Sequence, residues 1–273
     1  MKKICLYSPP YPRVKSYYDM IDMASDYGFN ALECLSILEF ETPDIDEAKR
    51  LREYADSKNV IIPCFSAFAK LAYGAENIER LKKYADIAKI MGSPYLHHTI
   101  VGEFADKQKV LPLRDEHFKN GVLAVREIYD YAESIGIKTI YEEQGYIFNG
   151  IKGFGEFLTT VERNVGVVAD FGNIYESGDD FLSFVKAFAD KVVHAHIKDV
   201  CVTDDNTDAR GLQTLNGKYM FEVPVGTGIV DMKEAVKLLK NAGYDGYYGL
   251  EFSAKQDDSP TMSEGIKFVE SLL

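Results

Sequence analysis

Basic side chains are in deficit in this chain: 31 Lys and Arg stand against 43 Asp and Glu over 273 residues, a formal charge of −12 and a pI near 5.0. Such a far field opposes attraction to a phosphate backbone or an anionic bilayer, so neither nucleic acid nor a membrane is an expected partner. No stretch approaches the roughly 20 consecutive apolar residues of a membrane span. The short N-terminal run around Ile4 to Tyr7 is stopped by Pro9 and Pro10 before it reaches the length of a secretory core, and the expected location is the cytoplasm. Cysteine is sparse: Cys5, Cys34, Cys64 and Cys201 show no C-x-x-C spacing and are expected to be reduced thiols, three of them packed as small hydrophobes. There is no Ser/Gly linker, no long like-charge block and no residue-level repeat, so residues 1–273 are expected to form one domain. A G-x-G-x-x-G turn is also missing after the first apolar run, where Ser8-Pro9-Pro10-Tyr11-Pro12 stands instead, which excludes a dinucleotide fingerprint at that place.

What the chain does have is alternation. Eight short apolar runs read as strands: Lys3 to Tyr7, Ala31 to Cys34, Val60 to Phe65, Tyr95 to Thr99, Lys138 to Glu142, Gly166 to Asp170, Val192 to Lys198 and Tyr247 to Glu251. Between and after them lie amphipathic stretches at Tyr17 to Tyr27, Ile45 to Ser57, Ile78 to Met91, Phe118 to Ser134, Phe154 to Glu162, Asp180 to Phe188, Met232 to Asn241 and Ser263 to Leu272. Ile78, Leu81, Ala85 and Ala88, and likewise Val122, Val125, Ile128, Tyr129 and Ala132, recur at about 3.6 residues and form core-facing stripes. Eight strands alternating with eight helices in this length predict an α/β fold closed as a single (β/α)8 TIM barrel, because an open sheet of this size usually has fewer strands.

A barrel gathers its chemistry at the C-terminal ends of its strands. From the fifth strand onward those ends read Glu142 or Glu143, Asp170, His194 or His196, and Glu251. Several carboxylates aimed into one mouth would repel each other unless a cation joined them. Three carboxylates and one imidazole form an oxygen-rich set expected to take one divalent ion, Mn²⁺ foremost, with Mg²⁺, Co²⁺ or Zn²⁺ compatible. His194 and His196 share a strand face, and His196 is the nearer to the mouth. Periodicity does not choose between Glu142 and Glu143. His98, paired with His97 at the end of the fourth strand, and Glu33, at the end of the second, are further candidates for contact with substrate, each weighed against a hydrogen-bonded histidine and a salt bridge. Lys198 and Asp199, following His196, are candidates for contact with substrate, weighed against the commoner reading of such a pair as a solvated strand exit.

These residues resemble the xylose isomerase-like barrel superfamily, in its sugar epimerase and isomerase branch. The likeness rests on Gly136-Ile137-Lys138-Thr139-Ile140-Tyr141-Glu142, Val167-Val168-Ala169-Asp170, Val193-His194-Ala195-His196-Ile197-Lys198-Asp199 and Gly246-Tyr247-Tyr248-Gly249-Leu250-Glu251, in this order along nearly the whole chain. Pro224-Val225-Gly226-Thr227-Gly228 resembles the family's Gly-x-Gly segment. The resemblance selects Glu142 over Glu143 and implies that Glu142, Asp170, His196 and Glu251 hold the metal. It also implies that Glu142 and Glu251 move protons on a small sugar substrate, and that Arg210 and Asn173 touch it.

The departures narrow the branch. The family's DNA-repair endonucleases carry two further histidine ligands where this chain has Asn173 and Arg210, so a single metal is implied. Known epimerases often carry His at the position of Asn173 and an acidic residue at that of Phe148, which leaves the sugar open. The activity implied is a metal-dependent epimerase or isomerase acting through an enediolate. The alternatives are an abasic-site endonuclease, a dehydratase working from the same enediolate, or a sugar-binding relative without turnover. No phosphate-binding glycine loop accompanies the last strands, which favours a neutral sugar, and a homo-oligomer is compatible with the resemblance.

Overall fold

The structure is a computed structural model and describes residues 3–7, 14–74, 78–101, 107–206, 211–251 and 259–273. Eight parallel strands close into a barrel: β1 (Ile4–Tyr7), β2 (Leu32–Leu35), β3 (Phe65–Ala67), β4 (Tyr95–His98), β5 (Lys138–Glu142), β6 (Gly166–Asp170), β7 (Val192–Ile197) and, closing onto β1, β11 (Tyr248–Leu250). Among the described residues the helices are α1 (Tyr17–Asp26), α2 (Ile45–Ser57), α3 (Ile78–Met91), the short α4 (Lys107–Val110), α5 (Arg114–Ser134), α6 (Gly150–Thr160), α7 (Phe181–Phe188), α8 (Met232–Asn241) and α9 (Ser259–Leu272). The expected (β/α)8 TIM barrel is therefore present. None of the described helices is long and apolar enough to cross a membrane. The four cysteines are free thiols, with Cys5, Cys34 and Cys64 buried.

Local signals explain where the helices begin. Ser16, Asp44, Asp180 and Asp231 cap α1, α2, α7 and α8 by accepting backbone N–H groups of the first turn. The third strand differs from expectation. Pro63 has no N–H to give a ladder, so Ile61 makes only an isolated bridge to Ala31 and regular pairing starts at Phe65.

A larger difference follows β7. Instead of one loop there is a three-stranded antiparallel sheet of β8 (Asp199–Thr203), β9 (Leu212–Gln213) and β10 (Tyr219–Val223), in the order β8-β10-β9. Leu215 N–H donates to the Glu176 carbonyl at 2.8 Å and the Tyr146 hydroxyl donates to the Gln213 carbonyl at 2.7 Å, so this sheet leans on the loops that follow β5 and β6.

Two apolar compartments result. The large one lies between the barrel wall and the helices. The small one, Cys64, Ile140 and Val168 with Tyr95 and Val193 against them, is cut off from it by the wall itself. It fills the lower barrel interior. Side chains two apart on a strand share a face, so Ser66, His97, Glu142 and Asp170 stand directly above this plug, on the inner face at the mouth. The register continues the layer: Asp170 pairs with His196, and His196 with Gly249.

Candidate active site

Nδ1 of His196 is the point on which the acidic strand ends converge. It lies 3.2 Å from Glu142 Oε2, 3.8 Å from Asp170 Oδ2 and 4.0 Å from Glu251 Oε2. Glu142, Asp170 and His196 form a group able to grip one ion, with ligand atoms all within 4.8 Å of one another. One carboxylate oxygen of Asp170 is satisfied, because Oδ1 accepts the N–H groups of Gly172 and Asn173 at 2.8 Å each. Asp170 Oδ2 is buried and has no hydrogen-bond partner. A bare buried carboxylate oxygen facing two further carboxylates and an imidazole nitrogen is costly, and a cation is what such a donor set fits. Three oxygen-bearing side chains and one nitrogen suit Mn²⁺ or Mg²⁺.

The same cluster holds a protein cation. Lys198 Nζ is 2.8 Å from Glu251 Oε1, 3.7 Å from Asp170 Oδ2 and 3.8 Å from Glu222 Oε1 on β10, and it donates to Asn173 Oδ1 at 3.2 Å. Burial opposes charge on this lysine, but Asp170, Glu251 and Glu222 outweigh it and hold its ammonium well above the ordinary lysine value. Glu251 feels the converse: burial raises its carboxyl against the pull of Lys198, with Asp170 adding to the rise, to about 8. The lysine and the carboxyl thus share one short, buried contact among further carboxylates. Two groups able to give or take a proton stand side by side.

Beneath the mouth, Glu33 joins several side chains. Its Oε2 accepts from His194 Nε2 at 2.7 Å, both of its oxygens lie 3.2 Å from His196 Nε2, and the Ser66 hydroxyl donates to Oε1 at 2.6 Å. Burial pushes the Glu33 carboxyl up, yet His196 and His194 overcome this and leave it well below the usual carboxylate value. Ser66 has spent its proton on Glu33, so its oxygen accepts from His97 Nδ1, 3.0 Å away. His97 Nε2 faces Glu142 Oε1 at 3.8 Å, and burial lowers the His97 pKa.

Glu142, Asp170, His196 and Glu251 are thus brought together, and Asn173 joins them through Lys198. Two other expectations, His98 and Glu33, land elsewhere, and a third falls on a residue that is not described. His98 is on the outer face of the wall: its Nε2 takes the Tyr141 hydroxyl at 2.7 Å, its ring stands edge-on to Tyr141, and burial lowers its pKa to about 3. It does not reach the mouth; strand alternation gives that face to His97. Glu33 is wholly buried below the mouth, with its oxygens turned toward His194, His196 and Ser66. Arg210 lies outside the described residues. Glu143, the alternative to Glu142, is buried with both oxygens unpaired, and burial together with Asp170 drives its carboxyl well above the usual value.

The strand exit after His196 is not solvated. Lys198 and Asp199 are both buried. Asp199 accepts the N–H groups of Gly226 at 3.0 Å and Gly228 at 2.8 Å, so it clamps the segment before α8. A Cβ on Gly228 would stand 2.1 Å from Asp199 Oδ1, and Gly226 has φ +90°, which explains both glycines of that segment. Sequence reading missed Ser66 and Glu222. Ser66 left no signal beyond its two-residue spacing from Cys64, whereas the β-rich run Tyr219 to Val223 was a readable sign of β10 and hence of Glu222.

Comparison with known proteins agrees with this architecture. Residues 21–272 match the family model described as xylose isomerase-like TIM barrel. An inosose dehydratase of Clostridium perfringens is 25% identical over 237 residues, covering 82% of this chain and 78% of that protein. Among solved structures, a probable 3-DHS dehydratase of Bacillus anthracis superposes with a TM-score of 0.72 at 19% identity, covering 99% of each chain. D-psicose 3-epimerase of Clostridium cellulolyticum H10 superposes with a TM-score of 0.74 at 15% identity, again over 99% of each. With the closed eight-strand barrel in hand and a family model spanning nearly its full length, the chain belongs to the xylose isomerase-like TIM barrel family.

Proposed function

We propose that the protein is a divalent-metal-dependent dehydratase of a polyhydroxy ketone of the inosose type, removing one water by proton abstraction beside the carbonyl. The observation that carries this reading over epimerisation is Lys198, whose ammonium lies 2.8 Å from Glu251 inside the carboxylate cluster and supplies the proton that a departing hydroxyl needs. The position where epimerases carry a second acidic residue is here Phe148, buried in the aromatic layer and stacked on Phe118. The curated relative named an inosose dehydratase supports the same choice.

Glu142, Asp170, His196 and Glu251 are the residues that would hold the ion. When bound, a divalent cation supplies positive charge beside the substrate carbonyl and lowers the cost of the oxyanion that develops there. The chain's own groups do the rest. Glu142 Oε1, turned toward His97, accepts the proton from the carbon beside the carbonyl. Lys198 donates a proton to the β-hydroxyl, which leaves as water while the electron pair of the broken C–H bond forms the new double bond. Glu251, 2.8 Å from Lys198, keeps that ammonium charged, and the cycle closes when Glu142 releases its proton to solvent at the mouth and Lys198 takes one back from it. Asn173 Oδ1 orients the ammonium. The plug of Cys64, Ile140 and Val168 closes the barrel from below and limits water to the mouth side.

The test is a panel of inososes and ketohexoses, followed by mass spectrometry, with and without chelator. Loss of one water from an inosose, abolished by chelation and restored by Mn²⁺ or Mg²⁺, is the expected outcome. Glu142→Gln is expected to cost about 10²–10⁴-fold in kcat. Formation of a C3 epimer with no loss of water would replace this reading by the epimerase one, which the placement of Glu142 and Glu251 about the same His196 nitrogen would then explain. Turnover by Glu142→Gln equal to wild type would remove the assigned base.

A further inference from the structure

The buried layer below the mouth is built around one wholly buried carboxylate. Glu33 has no exposure and meets His194, His196 and Ser66 with its two oxygens. A carboxylate can only accept, so each partner must present a proton to it. For His196 that fixes the proton on Nε2 and leaves Nδ1 as the nitrogen that faces Glu142, Asp170 and Glu251. Turning the ring over would lose both the Glu33 contact and the approach to the carboxylates.

The position of Glu33 is itself set from three sides. His194 and Ser66 hold its oxygens, and on the third side β11 passes with Gly249, where a Cβ would stand 3.2 Å from Glu33 Oε2 and 3.2 Å from His196 Cδ2. That glycine does not have a positive φ, so space and not backbone conformation is what it supplies. Ser66 extends the chain of contacts to His97, which faces Glu142 from the other direction. Glu33 is thus hydrogen-bonded on one side to His196, which faces Glu142, and on the other through Ser66 to His97, whose Nε2 stands 3.8 Å from Glu142 without a hydrogen bond.

We infer that Glu33 is a positioning residue for the metal site: it fixes the tautomer and tilt of His196 through Nε2–H, and Ser66, His194 and the absent side chain of Gly249 keep it in register. The inference rests on the metal reading above and adds to it a residue that binds neither ion nor substrate. Removing the negative charge while keeping the shape, as in Glu33→Gln, leaves His196 a weaker ligand and its ring free to turn. Partners of this kind are typically worth about 10–100-fold in metal affinity.

Calorimetric titration of the metal-free full chain with Mn²⁺, and the visible spectrum of the Co²⁺ form, measure this directly. Glu33→Gln is expected to bind Mn²⁺ about 10–100-fold more weakly, to alter the Co²⁺ spectrum, and to keep the KM for substrate once the metal is saturating. Wild-type affinity and spectrum in Glu33→Gln would overturn the inference. So would a raised KM with unchanged metal affinity, which would make Glu33 a substrate contact. If Glu33→Gln does not fold, Gly249→Ala and Ser66→Ala decide: each keeps the Glu33 charge, the first crowding Glu33 and the His196 ring together and the second removing a hydrogen bond from Glu33 and from His97. Weakened Mn²⁺ binding in both supports the role, and wild-type binding in both overturns it. Failure of the wild type to bind any divalent ion would sink the metal reading and this inference together, whereas metal uptake indifferent to Glu33 would sink this inference alone.

Discussion

On the outer face of β5 to β7, Tyr141 meets Phe157, and Phe157 meets Phe148 and Phe154, which in turn touches Phe184 and Phe188, a continuous layer of rings between wall and helices. On the inner face of the same strands, one residue beyond Tyr141 on β5 and at the matching ends of β6 and β7, Glu142, Asp170 and His196 crowd together, with Asp170 Oδ2 unpaired. His97 and His98 show the contrast in adjacent residues: one turned toward Ser66 and Glu142, the other sealed against Tyr141. The outer layer gains free energy by excluding water from apolar area, while the inner layer spends some of that stability on buried charges whose value lies in chemistry. Stability and function are therefore separable by strand face, and substitutions one position apart should report different properties.

The sharpest way to test that separation is Phe157→Ala. It is expected to lower unfolding free energy by about 3–5 kcal/mol in denaturant titration while leaving the affinity for Mn²⁺ unchanged. A large loss of metal affinity would show the two faces to be coupled. The inner counterpart is Lys198→Met, expected to reduce kcat by about 10²–10³-fold, the usual cost of losing one charged donor in such a site, with metal still bound. Retained turnover would remove Lys198 from the proton path.

A smaller effect comes from pH. His98 stays neutral in the folded protein down to about 3, whereas in the unfolded chain it takes up a proton near the ordinary 6.5. Below that value the unfolded state binds the extra proton, so stability is full above it and falls as pH drops. Between about pH 7 and about pH 5 this one residue should cost about 2 kcal/mol, and His98→Gln should flatten that part of the stability profile. An unchanged slope would place the acid sensitivity elsewhere. The smallest effect should be at Leu123, an exposed residue of α5 with 51% of its surface open, where replacement by Lys is expected to change stability by no more than about 0.5 kcal/mol.

Much of the site was readable because it depends on short-range rules. Strand-end position picked out Asp170 and Glu251 and narrowed the other two places to Glu142 or Glu143 and His194 or His196; nearness to the mouth favoured His196, and the family resemblance chose Glu142. What misled was context. Lys198 reads as a strand exit because lysine usually meets water, yet β8 continues straight from β7 and buries it against Glu251. His98 and His97 are indistinguishable by type and neighbour, and only the closed sheet assigns one to each face. Pro63 could have warned that the third strand would start late, since a missing N–H is visible in the sequence. Ser66 could not have been found that way: its importance is its distance to Glu33, a residue 33 positions earlier.

Alternation of apolar period, helix caps and glycine placement, all local properties of the chain, were enough to specify eight strand and helix units and hence a closed barrel. Which side chains meet in the mouth was settled by closure, because the pairing of β1 with β11 and of β7 with β11 sets the register that brings Glu33 beside His196 and Gly249. Residues 33 and 196 share no periodicity or motif. They come together only because the strands bearing them curve round one axis, and burial of both then makes each a needed partner of the other, beside His194 for Glu33 and Glu142 for His196.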